Sequence, residues 1–230
     1  MTHKTFFTAV AVMALTLGIA LPSQAQLTKE QRKERKELSK MTKSELNSKS
    51  SKVARKEAKR LAKEGWQVAP GALPMDKQLD RSYNMQYEYD ENLLPRYIMG
   101  EAMSIGANYD AAKMQAIELA KQALAGQIAT EVTALIENTV ANEQLAAEQA
   151  ESITRTVSSS KNLISQSIGR TIPVVEFYRV KDNKNKEVMV RIAYSTDAAM
   201  QAAKKVIRQE LEKKGEDLHE QLDKIMGVKE

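Results

Sequence analysis

The densest concentration of chemically capable side chains lies between residues 83 and 101, where Glu88, Asp90 and Glu91 stand beside Tyr83, Tyr87 and Tyr89, with Glu101 a little further on. Paired carboxylates serve acid–base chemistry on glycosidic bonds, and clustered oxygen donors suit a hard cation such as calcium. One reading is therefore a cell-wall or glycan-acting hydrolase using this acidic cluster, provided that Glu88, Asp90 or Glu101 converge in a pocket. Against it, the stretch lacks the Asp-x-Asp-x-Asp-Gly spacing of a calcium loop, and acidic residues at a helix-to-strand junction are ordinary surface. Ser158 and Lys161 stand at Ser-x-x-Lys spacing, but no matching glycine-rich elbow accompanies them. Gly100 and Gly106 have neither phosphate-loop nor dinucleotide spacing.

The inventory narrows the chemistry further. There is no cysteine, and the histidines are His3 and His219 alone. A histidine triad, a multi-histidine metal site in the folded core and a disulfide framework are excluded on numbers. No catalytic residue, metal ligand set or cofactor site is expected, and the chain reads as a non-enzyme.

Binding chemistry is better supplied. The net charge of +5 is unevenly spread: residues 26–64 hold 14 Lys and Arg against 6 Asp and Glu, whereas residues 65–230 hold 20 against 24. The candidate contacts for a polyanion or membrane are Lys33, Arg35, Lys36, Arg55, Lys56, Lys59 and Arg60. Nucleic acid is not expected as a partner, because no aromatic platform interleaves these side chains and residues 1–25 read as a secretory leader. That leader has Lys4, an apolar run over 6–21, then Pro22 and Ser23-Gln24-Ala25 ahead of a cut before Gln26. The expected location is the periplasm or outer-membrane periphery of a Gram-negative bacterium, with anionic lipid, lipopolysaccharide or an envelope protein as partner.

Four segments follow from the pattern: the leader 1–25, a charged helical or disordered arm 26–64, a Trp/Tyr lead-in 65–95 opened by Gly65 and Pro70, and a main domain 96–230. Thr28 or Ser51 caps helical pieces of the arm, which break near 47–51. Leu79, Tyr83 and Tyr87 predict a helix over 76–89. Residues 96–107 alternate as a strand, with Tyr97, Met99, Met103 and Ile105 on one face and Ile98, Gly100, Ala102, Ser104 and Gly106 on the other. The small face predicts close approach of the alanine-rich helix over 109–136, capped by Asn108 or Asp110. Ile117, Leu124, Ile128 and Leu135 form its expected apolar stripe. Leu145, Ile153, Val157 and Ile164 continue as a second helix or a bent extension. A hairpin spans 171–194 around a lysine-rich turn, and a last helix carries Met200, Ile207, Leu211, Leu218, Leu222 and Ile225, weakened at Gly215 and free to project beyond Glu216.

The strand YIMGEAMSIGA, the helix DAAKMQAIELAKQALAGQIATEV and the hairpin VVEFYRV…KEVMVRIAYS leading into the last helix resemble the LPP-twenty family of small bacterial envelope lipoproteins, which includes domains of flagellar outer-membrane accessory proteins. The likeness covers residues 96–212. The chain departs from the family in having no lipobox cysteine and a longer, lysine-rich hairpin turn, so lipid attachment does not carry over. The resemblance implies an envelope-associated, non-catalytic domain and supplies no catalytic residues. The expected fold is α+β: a three-stranded, antiparallel-containing sheet under the long helix and the C-terminal helix. The Tyr97–Met99–Met103–Ile105 face would then be covered by residues 66–89 or by a second copy in a homodimer.

Overall fold

Alternation of side chains dictates the sheet, and the computed structural model shows how far it reaches. Residues 29, 32, 33, 36, 37, 40, 44, 47–91, 93–142, 144–181 and 183–227 are described, so the expected leader lies outside them. The chain divides into two compact units, Met1–Ser48 and Lys49–Glu230. In the first, Lys29, Arg32, Lys33, Lys36, Glu37, Lys40, Ser44 and Asn47 are helical and exposed. Helix gives way at Ser48, and Ser51 caps the next helix by accepting from the Ala54 amide, as the break near 47–51 and the cap were read.

The second unit is α+β. In order it runs α1 (Lys52–Lys63), β1 (Gln67–Val68), α2 (Met75–Gln86), β2 (Tyr97–Gly106), α3 (Tyr109–Ala141), α4 (Ala147–Ser159), α5 (Lys161–Ser167), β3 (Ile172–Val180), β4 (Lys186–Ser195), α6 (Thr196–Lys213) and α7 (His219–Met226). The sheet is antiparallel with order β1-β3-β4-β2. It has four strands where three were expected, because the two-residue β1 adds to the outer edge of β3. Beyond β1 that edge is closed by a side chain: the Glu176 amide donates to Gln78 Oε1 at 2.8 Å, and Gln78 itself is buried. Pro173 sits at a register shift of β3, where it has no ladder bond to give.

One sheet face packs on α3. Val188, Val190, Ile192 and Tyr194 of β4 share a core with Ile98, Leu124, Ile128, Val132 and Ile136, and α4 to α7 close over it. The small face of β2 behaves as read, since a Cβ on Gly100 would lie 2.3 Å from the Ala120 carbonyl oxygen and 2.7 Å from Leu124 Cγ. That proximity also shifts the stripe of α3. Ala112, Ala116 and Ala120 are fully buried while Ile117 and Leu135 are only half-buried, because the turns nearest the strand have room for methyl groups alone. Asn108 caps α3 through the Ala111 amide, and the helix runs on to Ala141 before α4 and α5 carry the buried Ile153, Val157 and Ile164.

The opposite face is covered from within the chain. Val175, Phe177 and Ala193 meet Ala54, Leu61, Trp66, Leu79 and Met85, so α1 and α2 form a second helical layer. Residues 49–64 thus belong to the body rather than to an arm, and the start of the body moves from residue 65 to Lys49. Coverage is incomplete: Tyr97 and Met99 pack against this layer, whereas Met103 and Ile105 remain 52% and 50% exposed. The helix read over 76–89 ends at Gln86, and Tyr89 instead bridges to Pro95.

The C-terminal segment does not project. Gly215 adopts φ +73°, a left-handed turn open to glycine at little cost, and α7 folds back to bury Leu222, Ile225 and Met226. Asp223 fastens it, accepting from Lys204 Nζ at 2.9 Å and from Arg208 Nη2 at 2.9 and 3.1 Å. The Lys204 ammonium, with Arg208 beside it, holds the Asp223 carboxyl below the usual carboxylate range. A depressed acidic pKa means that its stabilisation is whole above the unfolded value of about 3.9 and is lost as pH falls through the folded value. Amide exchange in α7 should therefore rise selectively below about pH 4. Asp223→Asn should show raised exchange already at neutral pH; unchanged exchange in that variant would mean that the pairs do not hold α7.

Candidate functional site

The acidic cluster is split among separate tasks. Glu88 accepts from Arg96 Nη1 at 2.7 Å, and Glu101 accepts from Arg191 Nε at 2.7 Å on the sheet, where Arg191 also reaches Ser82 Oγ. Asp90 holds its own turn, its Oδ1 accepting from the Leu94 amide at 2.8 Å while its backbone N–H donates to the Leu94 carbonyl. Asp90 and Glu91 line a shallow pocket with Tyr89 and Arg96; neither Glu88 nor Glu101 lines it. The required convergence of Glu88, Asp90 and Glu101 is not present. Ser159 and Ser160 spend their hydroxyls on the Thr156 carbonyl, 3.0 and 2.7 Å away, as helix-end bonds. Among the described residues no group of three or more His, Asp or Glu side chains is placed to hold a metal ion, and no helix is long and apolar enough to cross a membrane.

The basic candidates separate by what each side chain already bonds. Lys33 and Lys36 are helical and exposed in the first unit, and Arg35 lies outside the described residues. On α1, Arg55 donates to the Ser50 carbonyl. Arg60 is engaged twice, with Glu57 and with Glu64, both at 2.5 Å. The Arg60 bond lowers the Glu57 pKa, and the two carboxylates raise that of Arg60. Lys56 and Lys59 are exposed and form no ion pair among the described residues. Lys52 and Lys63, which the sequence reading passed over, share their face. At 100° per residue Lys52, Lys56, Lys59 and Lys63 line up opposite Ala54, Ala58 and Leu61, the side that packs against α2 and joins the second core. Docking of the small apolar side fixes the direction in which the lysines point. The signal was in the sequence as an i, i+4, i+7, i+11 series, but it could be read only once the buried side was known.

Beside this lysine face lies a groove of about 610 Å³ floored by Ala58, Ala62, Trp66, Val68 and Met75. Arg55, Lys59 and Asp76 stand at its rim, and Asp76 accepts from Ser50 Oγ at 2.7 Å. Trp66 is 4% exposed, and Arg179 stacks over its ring with 4.5 Å between guanidinium carbon and centroid.

Comparison of the chain with protein-family models, with curated proteins and with solved structures finds no match.

A second groove, of about 770 Å³, opens where the loop before β2, the second half of α3, the start of α6 and the end of α7 meet. Its walls are apolar, from Leu94, Pro95, Leu135, Met200, Ile225 and Met226, and among the described residues Glu131 and Asp197 are its only charged groups. Thr196 pins the loop to the sheet, its amide donating to the Arg96 carbonyl at 3.0 Å and its hydroxyl to the Pro95 carbonyl at 2.6 Å. Nothing in the sequence announced this groove, because its walls come from four stretches far apart in the chain.

Proposed function

We propose that this protein is an exported, non-catalytic α+β envelope protein that rests on phosphate-bearing lipid, anionic phospholipid or lipopolysaccharide, through the lysine face of α1. The observation that carries the proposal is the row Lys52, Lys56, Lys59 and Lys63, exposed, without ion pairs among the described residues and held by a helix whose other side is buried. Twelve helical residues set the four ammonium groups along about 17 Å, so they can meet one flat anionic surface together. The expected export signal, the resemblance over residues 96–212 and the split commitments of the acidic side chains support the same reading. The basic side chains of residues 26–48 add to the attraction without setting its geometry.

Each lysine near an anionic leaflet contributes about 1 kcal/mol, and four of them about three powers of ten in partitioning at low salt. Sedimentation with phosphatidylglycerol vesicles should show that loss in a variant with Lys52, Lys56, Lys59 and Lys63 all changed to Gln, and a steep fall for the unaltered protein as salt rises. Deleting residues 26–48 should weaken binding less. A quadruple variant that sediments like the parent at low salt would exclude the lysine face as the contact.

A further inference from the structure

The groove between α3, α6 and α7 has a charge that the fold does not explain. Glu131 is half-buried on α3 and makes no hydrogen bond or ion pair among the described residues, in contrast to Glu57, Glu88, Glu101, Glu176 and Glu187, each of which meets Lys or Arg. Withdrawal from water raises its pKa, with no neighbouring charge contributing in either direction. A carboxylate desolvated without compensation costs free energy, and such a group in an apolar recess marks a place where a partner charge is missing. Asp197 is the second carboxylate of the groove, and among the described residues no Lys, Arg or His lines it. The remaining walls are aliphatic and thioether surface, which binds chains of methylene groups without demanding a direction.

We propose that this groove binds a small amphipathic amine, with its ammonium group against Glu131 and its hydrocarbon body along Leu135, Met200 and Ile225. Glu131 supplies a charge-assisted bond that gains strength from partial desolvation, and Asp197 adds a longer-range attraction from the mouth. A neutral alcohol of equal length fills the same walls but leaves the carboxylate unpaired, and a fatty acid brings like charge to it. The ligand class is therefore set by sign, and it is opposite to the class drawn to the lysine face.

Isothermal titration of the full chain with n-octylammonium chloride, n-octanol and sodium octanoate, each below its micellar range, tests this directly. The ammonium ion should bind about tenfold tighter than the alcohol, and octanoate more weakly than both. Glu131→Gln should bring octylammonium to the level of octanol while leaving octanol unchanged, and Leu135→Trp, which fills the recess, should weaken all three. Equal binding of ammonium ion and alcohol by the parent protein, or an ammonium preference that survives Glu131→Gln, would overturn the proposal. So would tighter binding of the peptide acetyl-Leu-Lys-Leu-amide than of octylammonium, which would make the groove a peptide site. The variant with four lysines of α1 changed to Gln should keep the full ammonium preference, so failure of the vesicle experiment and failure of this one are separate results.

Discussion

Replacing Gly100 with alanine should destabilise the protein by about 2–3 kcal/mol, while the same substitution at Gly126 should stabilise it by about 0.5–1 kcal/mol. One glycine lies on a strand and the other in a helix, and they differ most in what a methyl group would meet. At Gly100 it would lie 2.3 Å from a backbone oxygen of α3 and 2.7 Å from Leu124 Cγ, so the strand and a 33-residue helix must separate. A rotamer change relieves a contact with the end of a flexible side chain, but a helix carbonyl cannot turn aside without losing its own bond. Gly126 sits within α3 with nothing inside 4 Å of its would-be Cβ, and there alanine only restricts the unfolded chain and improves helix propensity. Chemical denaturation of both variants gives the comparison. Equal and small effects would show that the β2–α3 contact can relax, and that the small face of the strand is not what sets its distance to the helix.

Phe177→Ala should cost about 3–5 kcal/mol, a large part of the roughly 5–15 kcal/mol that holds a domain together. Phe177 is fully buried on the sheet face that carries α1 and α2, and it is among the largest side chains of that layer. Its loss opens the core cluster that the small side of α1 shares with α2. The damage should therefore be uneven, with hydrogen exchange rising in α1 and α2 well before the core between β4 and α3, which draws on other residues. Vesicle sedimentation should fall in the same variant although no charge has changed, because the lysine row is flat only while α1 is docked. Uniform exchange throughout would mean that both layers unfold as one unit.

These two sites illustrate how much of the fold could be read in advance. Gly100 was legible because alternation along 96–107 separates a small face from a large one, and a small face has few uses besides close packing. The hairpin was legible for the same reason, since Val188, Val190, Ile192 and Tyr194 are all buried together. The membership of α1 was not. Only Ala54 and Leu61 of its twelve residues are buried, and against a background of lysine two such positions do not form a visible stripe. Nor was the return of α7, which depends on Gly215 turning the chain and on Asp223 finding Lys204 and Arg208 across that turn. For the candidate sites, the basic residues were visible as composition, but Arg55 and Arg60 are already engaged and Lys52 and Lys63 complete the row. Glu131 had no local signal at all: on a helical wheel it is one acidic residue at the edge of an apolar stripe, and its isolation is created by Leu94, Met200 and Ile225.

The sheet order carries a further consequence, for the time at which this protein becomes itself. β2 pairs along its full length with β4, and the Glu101–Arg191 pair that ties them spans 90 residues of chain. β1, nearer still to the N-terminus, is held by β3. Only the β3–β4 hairpin is local, and it comes last of the four strands. A chain emerging from its N-terminus therefore makes helices early but has no sheet to lay them on until about residue 195 is available. Contact order of this kind slows folding and keeps the incomplete chain extended and open to partners. On the export route proposed above, late closure would be an asset, because it delays the moment at which the chain becomes too bulky to pass through a pore.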